Sequence, residues 1–371
     1  MKTSISRVRL IRPRLAIRRM PVHSHAHDHS HDHSHAHEPH SGSKLEPPAP
    51  KPQSKDKIGL TTARQNCSSL FPASTTLEPN LVSPFIPSYA RDAHTALFAL
   101  QLILQNAVNP PGGTLSSFSK NAGTGDVTAR IRLQFWKDTI QAIFAGKPVP
   151  SEPVVTLLSS VLQTHKFTRG FLLRMIDARI GRIGDPPFAS IASIADFGES
   201  AYSSMLYLLS ESMIEGRAVE VEHICSHIGR SMGVVESLAD FPSALQIRSR
   251  VLLPLDMLIK YDLREEDILR RLDLKETTTK KKLADAVFEV ATHANDQIIT
   301  ARTMYQEMIS KQGGWKKIDD AVFAPVLTGV PVRVWLEKLE KVDFDIYNPT
   351  LRMRDWSLPW KMYWAYNSKK I

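Results

Sequence analysis

From Ser88 to Lys341 the apolar residues of this chain return every three or four positions, and no stretch shows the alternation or the hairpin turns of a sheet. A repeat of about 3.6 residues places such side chains on one face of a helix, whereas a half-buried strand needs every second residue apolar. The chain is therefore expected to be all-α. Between Ser88 and Asn106 the repeat runs Ala93, Ala96, Leu97, Leu100 and Leu104, and Pro110, Pro111, Gly112 and Gly113 stop it. Asp126 is a good N-cap for a second amphipathic helix carrying Val127, Ile131, Phe135, Ile140, Ile143 and Phe144, with Gly146 just past its end. Further helices are expected over 151–164, 168–180, 193–213, 217–238, 265–271, 277–310 and 331–341. No repeat of solenoid length is present.

The first 60 residues are of another kind. Lys2, Arg7, Arg9, Arg12, Arg14, Arg18 and Arg19 are interleaved with Val8, Leu10, Ile11, Leu15 and Ile17, and the first acid is Asp28. An arginine-rich, acid-poor, amphipathic start predicts a mitochondrial transit peptide over residues 1–22. Residues 23–60 are His, Ser, Pro and Lys with few large apolar side chains, so they cannot bury enough surface to offset their ordering entropy and are expected to be a linker. A helical domain over 61–345 and an aromatic, basic tail over 346–371 complete the expected organisation.

Charge follows the same division. The formal charge is +9, but seven of those charges lie in residues 1–20, leaving +2 for the rest. A nearly neutral body argues against nucleic acid as a partner. Cys67 and Cys225 are too few for a disulfide framework and have no CxxC spacing. No apolar run reaches the eighteen or so residues that a membrane span requires.

Nine of the fourteen histidines fall within His23–His40. Imidazole binds zinc, nickel and copper, but a specific site needs three or four ligands fixed by a fold, and this segment has nothing to fix them. His223 and His227 share a helix face at zinc-ligand spacing, without an HExxH frame or a nearby third ligand, so packing is their expected role. The glycine-rich GGTLSSFSKNAGTGD lacks the Gly-Lys-Ser/Thr ending of a phosphate loop. Lys280–Lys282 read as a solvated helix face. No metal or cofactor is expected.

Three blocks occur in order: RLQFWKDTIQAIFAGKPVP, LLRMIDARI, and ICSHIGRSMGVVESL leading to RVLLPLDMLIKYDLREEDILRR. Together they resemble the squalene/phytoene synthase family over about Ser88 to Arg271. The resemblance implies an isoprenoid-synthase-like single helical domain with a central cavity, whose enzymes hold Mg²⁺ through aspartates on two facing helices to neutralise a diphosphate leaving group. If Leu97-Phe98-Ala99-Leu100 matches the start of the first aspartate helix, its acids should fall near Val108, Asn109 and Gly112, and none is acidic. On the second helix Asp240 matches the first aspartate, its partner position near Ala244 is not a carboxylate, and Pro242 is expected to break the helix between them.

Prenyl transfer is therefore not expected, although an active prenyl diphosphate transferase remains the rival reading. The family has a branch without these aspartates, assembly factors of mitochondrial respiratory complex I, and the chain looks like a member of it. FALQ, the block Arg132–Asp138, Ser226–Arg230, Val251–Asp256 and the run Trp335–Leu351 carry that likeness. One departure is Phe71–Pro84, where members of the branch carry a basic, tyrosine-rich opening, so the first helix and Cys67 are left without a match. The resemblance implies peripheral association with the matrix side of the inner membrane and partners among complex I assembly intermediates or a membrane-arm subunit. It also allows a lipid in the cavity. Arg132, Trp136, Asp177, Arg230 and Asp240 are the expected cavity or partner-contact residues, with core packing the competing role for Trp136. The aromatic tail WSLPWKMYWAYNSKK suits either a membrane interface or docking onto the body.

Overall fold

The computed structural model describes residues 54–71, 78–109, 122–216, 219–270, 277–311, 313–314 and 318–371. The expected transit peptide, the histidine run and most of the expected linker lie outside the described residues, as do Gly112 and most of the glycine-rich segment. Every regular element among the described residues is helical. In chain order these are α1 (Ser54–Ser69), α2 (Pro79–Val82), α3 (Arg91–Val108), α4 (Ala122–Phe144), α5 (Pro153–Thr164), α6 (Arg169–Ile180), α7 (Ile191–Gly198) and α8 (Ser204–Glu211). They continue as α9 (Val219–Ser243), α10 (Leu255–Lys260), α11 (Glu265–Arg270), α12 (Thr277–Lys311), α13 (Asp320–Leu327), α14 (Gly329–Lys341) and α15 (Leu358–Ser368).

The hub is α9. Its buried residues, from Val221 and Ile224 through Met232 and Val235 to Phe241, lie all round its circumference, so it has to be enclosed by other helices. It packs along α12 and against α7, α8, α13 and α14. Gly229 and Gly233, one turn apart, set how closely α7 approaches. A Cβ at Gly229 would lie 2.2 Å from Ser203 Oγ, and one at Gly233 would lie 2.5 Å from Gly198 Cα. Backbone meets backbone here because these positions have no side chain.

Two π turns interrupt the α-helices, Glu199–Ser203 between α7 and α8 and Ala244–Arg248 after α9. The second corrects the expectation at Pro242. The helix does not break there: α9 runs to Ser243 with Pro242 inside it and continues into the π turn. The wider i→i+5 spacing is a way for a helix to absorb a residue that cannot donate its own N–H.

Two further expectations are revised. On α4 the series Val127, Ile131 and Phe135 faces outward, at 57%, 65% and 40% exposure, while Ala129, Leu133, Trp136 and Ile140 form the buried face. Both faces are apolar, so the period alone does not tell them apart. Helix α1 begins at Ser54, inside the stretch expected to be linker. It meets α3 through Arg64, whose Nη2 lies 2.6 Å from Asp92 Oδ2.

Candidate functional site

A cavity of about 400 Å³ lies between α3, α9, α14 and the segment that precedes α15. The period that buries α3 turns Phe98, Gln101, Leu102 and Gln105 toward it, and α9 contributes Glu236, Ala239, Asp240 and Ser243. Trp335 and Lys338 enter from α14, and Leu351–Asp355 with Leu358 close another wall. Gln101 is 3% exposed, and neither end of its amide is hydrogen-bonded.

The polar wall of the cavity is built from two arginine-centred clusters. Arg179, on α6, is 3% exposed. Its Nη1 donates to Glu236 Oε1 at 3.1 Å, and its Nη2 donates to the Tyr202 hydroxyl at 3.1 Å. Tyr202 in turn donates to Glu236 Oε2. Burial opposes the charge of Arg179, but Glu236 and Tyr202 outweigh it and hold the guanidinium above its ordinary pKa. Burial, then the Glu236 charge, pushes the Tyr202 hydroxyl well above the usual tyrosine range. The rings of Phe197 and Tyr202 lie 5.0 and 5.6 Å from the Arg179 guanidinium, which adds a cation–π contribution.

The second cluster is held by Arg248 in the π turn after α9. Its Nη2 donates to Asp240 Oδ2 at 2.6 Å and its Nε donates to Asp185 Oδ2 at 2.7 Å. Burial raises the pKa of Asp240, and the hydrogen bond and charge of Arg248 offset part of that rise. Arg248 stays above its ordinary value despite burial because two carboxylates face it. Glu236 and Asp240 thus stand one turn apart on α9, each held by an arginine.

The resemblance implied Mg²⁺ held near Asp240, and the donor set here does not fit that ion. Val108 ends α3 and Asn109 follows as its C-cap, neither supplying a carboxylate. Across the cavity the oxygens of Asp240 and Glu236 are engaged by arginines. Mg²⁺ demands near-octahedral oxygen ligation and would have to displace those guanidinium groups. No group of three His, Cys, Asp or Glu residues suited to a metal ion occurs among the described residues.

The residues expected to form the site are dispersed. Asp240 lines the cavity. Trp136 is 5% exposed and packs edge-on against Phe135, which is the core role that competed for it. Arg132 lies on the exposed side of α4, and Asp177 is exposed on α6, paired with Lys137 at 2.7 Å. Arg230 belongs to the α7–α9 seam, where it meets Glu199 at 3.3 Å and Asp196 at 3.7 Å. There Tyr207 and Ser226 also donate to Glu199, so that its pKa falls despite burial. The residues that sequence reasoning missed are Glu236, Arg179, Tyr202, Arg248 and Gln101. Only Glu236 carried a legible sign, its spacing of one turn from Asp240.

His227 is half-buried and bonds Gln297 at 2.7 Å, whereas His223 is exposed, so the packing role expected of the pair holds for His227 and not for His223. Cys67 and Cys225 are free and buried, and burial pushes both thiols up to about 12. Lys280 and Lys282 pair with Asp345 and Asp262 at 2.8 and 2.9 Å rather than standing in solvent alone.

Comparison with known proteins agrees with this architecture. The chain is 30% identical to the Rattus norvegicus protein "NADH dehydrogenase (ubiquinone) complex I, assembly factor 6" over 63% of this chain and 64% of that one. It thus spans somewhat less than two thirds of that relative's length. The Homo sapiens protein of the same name is 27% identical over 77% of each chain, and the Dictyostelium discoideum homolog is 26% identical over 59% of this chain and 57% of its own. A dehydrosqualene synthase crystal structure in complex with ligand superposes with a TM-score of 0.62 at 13% identity, covering 85% of this chain and 97% of that one. The squalene synthase HpnC from Alicyclobacillus acidocaldarius gives 0.58 at 13% identity, covering 78% and 97%. At such identity these likenesses establish the fold and nothing finer. The squalene/phytoene synthase model matches residues 79–364, nearly the whole of the described body. With its helical order, its cavity and this match, the chain belongs to the squalene/phytoene synthase family.

Proposed function

We propose that this protein is an assembly factor for mitochondrial respiratory complex I that acts early, on a membrane-arm subunit, and transfers no prenyl group. The observation that carries the reading is the fate of the cavity carboxylates. Glu236 and Asp240, the acids best placed for metal, are neutralised by Arg179 and Arg248. Without a metal cluster the departing diphosphate loses its dominant electrostatic stabilisation. The names carried by the rat and human relatives support assembly rather than catalysis. What remains is a helical scaffold whose cavity pairs one polar wall with apolar side chains from α3, α14 and the segment before α15, suited to holding a partner helix or a lipid chain.

In this reading the protein works from the matrix side of the inner membrane, held peripherally. No helix among the described residues is long and apolar enough to cross a membrane. Deletion of the gene followed by native-gel separation of respiratory complexes is expected to deplete complex I while sparing the others. Normal complex I would refute the proposal. Purified protein supplied with farnesyl diphosphate and Mg²⁺ is expected to release no diphosphate, and turnover would restore the transferase reading.

A further inference from the structure

The C-terminal helix is apolar on two sides, and only one of them has a partner. Leu358, Met362 and Ala365 are buried against the body, and Lys369, the C-cap, pairs with Asp320. The opposite side holds Trp360 at 69%, Tyr363 at 52% and Trp364 at 67% exposure, with Trp356 at 80% and Met353 at 65% just before the helix. Residues 360, 363 and 364 fall within one helical face by the i, i+3, i+4 rule. Two tryptophans and a tyrosine are thus held open to solvent on a helix whose inner face anchors it.

Within residues 351–371 the exposed charges are of one sign, while Glu78 acts on Arg354 and Asp319 and Asp320 stand beside the far end of the helix. Arg352, Arg354 and Lys370 are exposed, and the Arg354 guanidinium lies 5.6 Å from the Trp356 ring. Asp355, the one acid in residues 351–371, is already engaged by Ser357 and Lys361. Indole rings flanked by exposed cations match the headgroup region of an anionic bilayer, where rings lie at the apolar boundary and cations meet phosphate. A protein partner would ask for an acidic complement, and an apolar contact with a second copy would bring these cations together.

We propose that the face formed by Met353, Trp356, Trp360, Tyr363 and Trp364, with Arg352, Arg354 and Lys370 around it, docks on an anionic lipid surface. The inference is argued from residues 351–371 and deepens the peripheral membrane association proposed above, while a normal complex I in the gene deletion would leave it standing. Because Leu351–Asp355 and Leu358 also wall the cavity, docking sets that wall against the bilayer.

The test uses the full-length chain and phosphatidylcholine vesicles with or without cardiolipin as a minor component, their acyl chains brominated to quench tryptophan on contact. The basic residues 1–20 can bind vesicles by themselves, so sedimentation alone does not decide, whereas quenching reports the rings. Of the six tryptophans, Trp136 and Trp335 are buried and out of reach of a quencher, and Trp315, outside the described residues, is replaced by Phe in every protein compared, so that the signal comes from the proposed face. Wild type is expected to be quenched by the cardiolipin vesicles. The W356S/W360S/W364S variant should lose that quenching and bind at least about tenfold more weakly. Replacing Arg352, Arg354 and Lys370 by Ser should cut the preference for cardiolipin by about fivefold per cation. Vesicle-bound wild type without quenching would overturn the proposal, since another segment would be holding the membrane. So would a triple variant that binds and is quenched like wild type, or a wild type that ignores vesicles and dimerises through these tryptophans by light scattering. Should the triple variant fail to fold, quenching of wild type decides by itself.

Discussion

At the polar wall of the cavity Arg179, Arg248, Glu236, Asp240 and Asp185 answer one another inside the chain, whereas Trp356, Trp360 and Trp364 meet no answering surface among the described residues. The difference is one of cost. A buried charge without a partner costs several kcal/mol, so the fold has to supply the partner itself. An exposed indole costs far less and can wait for a surface from outside. The carboxylates inside this family member are answered by its own arginines, and its outer aromatic rim has been left open.

The strongest way to break that comparison is to remove one member of an internal pair. Glu236→Ala leaves the Arg179 guanidinium buried beside Tyr202 alone and is expected to cost about 3–5 kcal/mol in urea unfolding. The double variant Arg179→Met, Glu236→Leu should recover most of that loss, because no charge is then stranded. On α15 the two faces can be set against each other directly. Met362→Ala, on the inner face at 0% exposure, should cost about 2–3 kcal/mol, the low end for a buried methionine because an edge helix can relax.

A third variant probes the interior through pH. His94 is fully buried beside Phe98, neither ring nitrogen is hydrogen-bonded, and burial lowers its pKa from 6.5 to about 3. The fold therefore keeps it neutral while the unfolded chain takes up a proton below 6.5, so stability present above that pH is lost as pH falls toward 3. At pH 5 the loss attributable to this group is about 2 kcal/mol. His94→Leu should flatten the acid limb of stability between those limits in chemical denaturation at a series of pH values. Smallest of all, each of Trp356→Ser, Trp360→Ser and Trp364→Ser should shift stability by under about 0.5 kcal/mol. A loss near that of Met362→Ala would mean that the outer face is packed after all.

Much of the helical order was legible in the chain, and its gaps have physical causes. The expected helix over 265–271 is α11 almost to the residue, and those over 277–310 and 331–341 correspond to α12 and α14. The C-terminal helix escaped detection because Leu358 and Met362 face inward while Trp360 and Trp364 face outward, which erases the period. Helix α13 escaped for a related reason: Ala321, Phe323, Ala324, Pro325, Val326 and Leu327 are all buried, and Pro325 reads as a breaker. At the site, Asp240 was legible as the position matching a family aspartate. Its neutralisation was not: its partner Arg248 lies only eight residues on, but beyond Pro242, where no helix was expected to continue, and the neighbouring Glu236 is met by Arg179 across 57 residues. No local pattern records a pair formed by packing.

The π turn at Glu199–Ser203 carries one residue more than an α-helix of the same span needs. Removing a single residue there would let α7 and α8 join in one register and rotate everything downstream by about 100°. Met205, Leu208 and Leu209, each fully buried, would swing away from their present neighbours, and Tyr202 would leave Glu236. Chain length at this point is therefore as tightly specified as the side chains of Ala201, Tyr202 and Ser203, and even at the less buried Ser200 a substitution should be tolerated where a deletion is not.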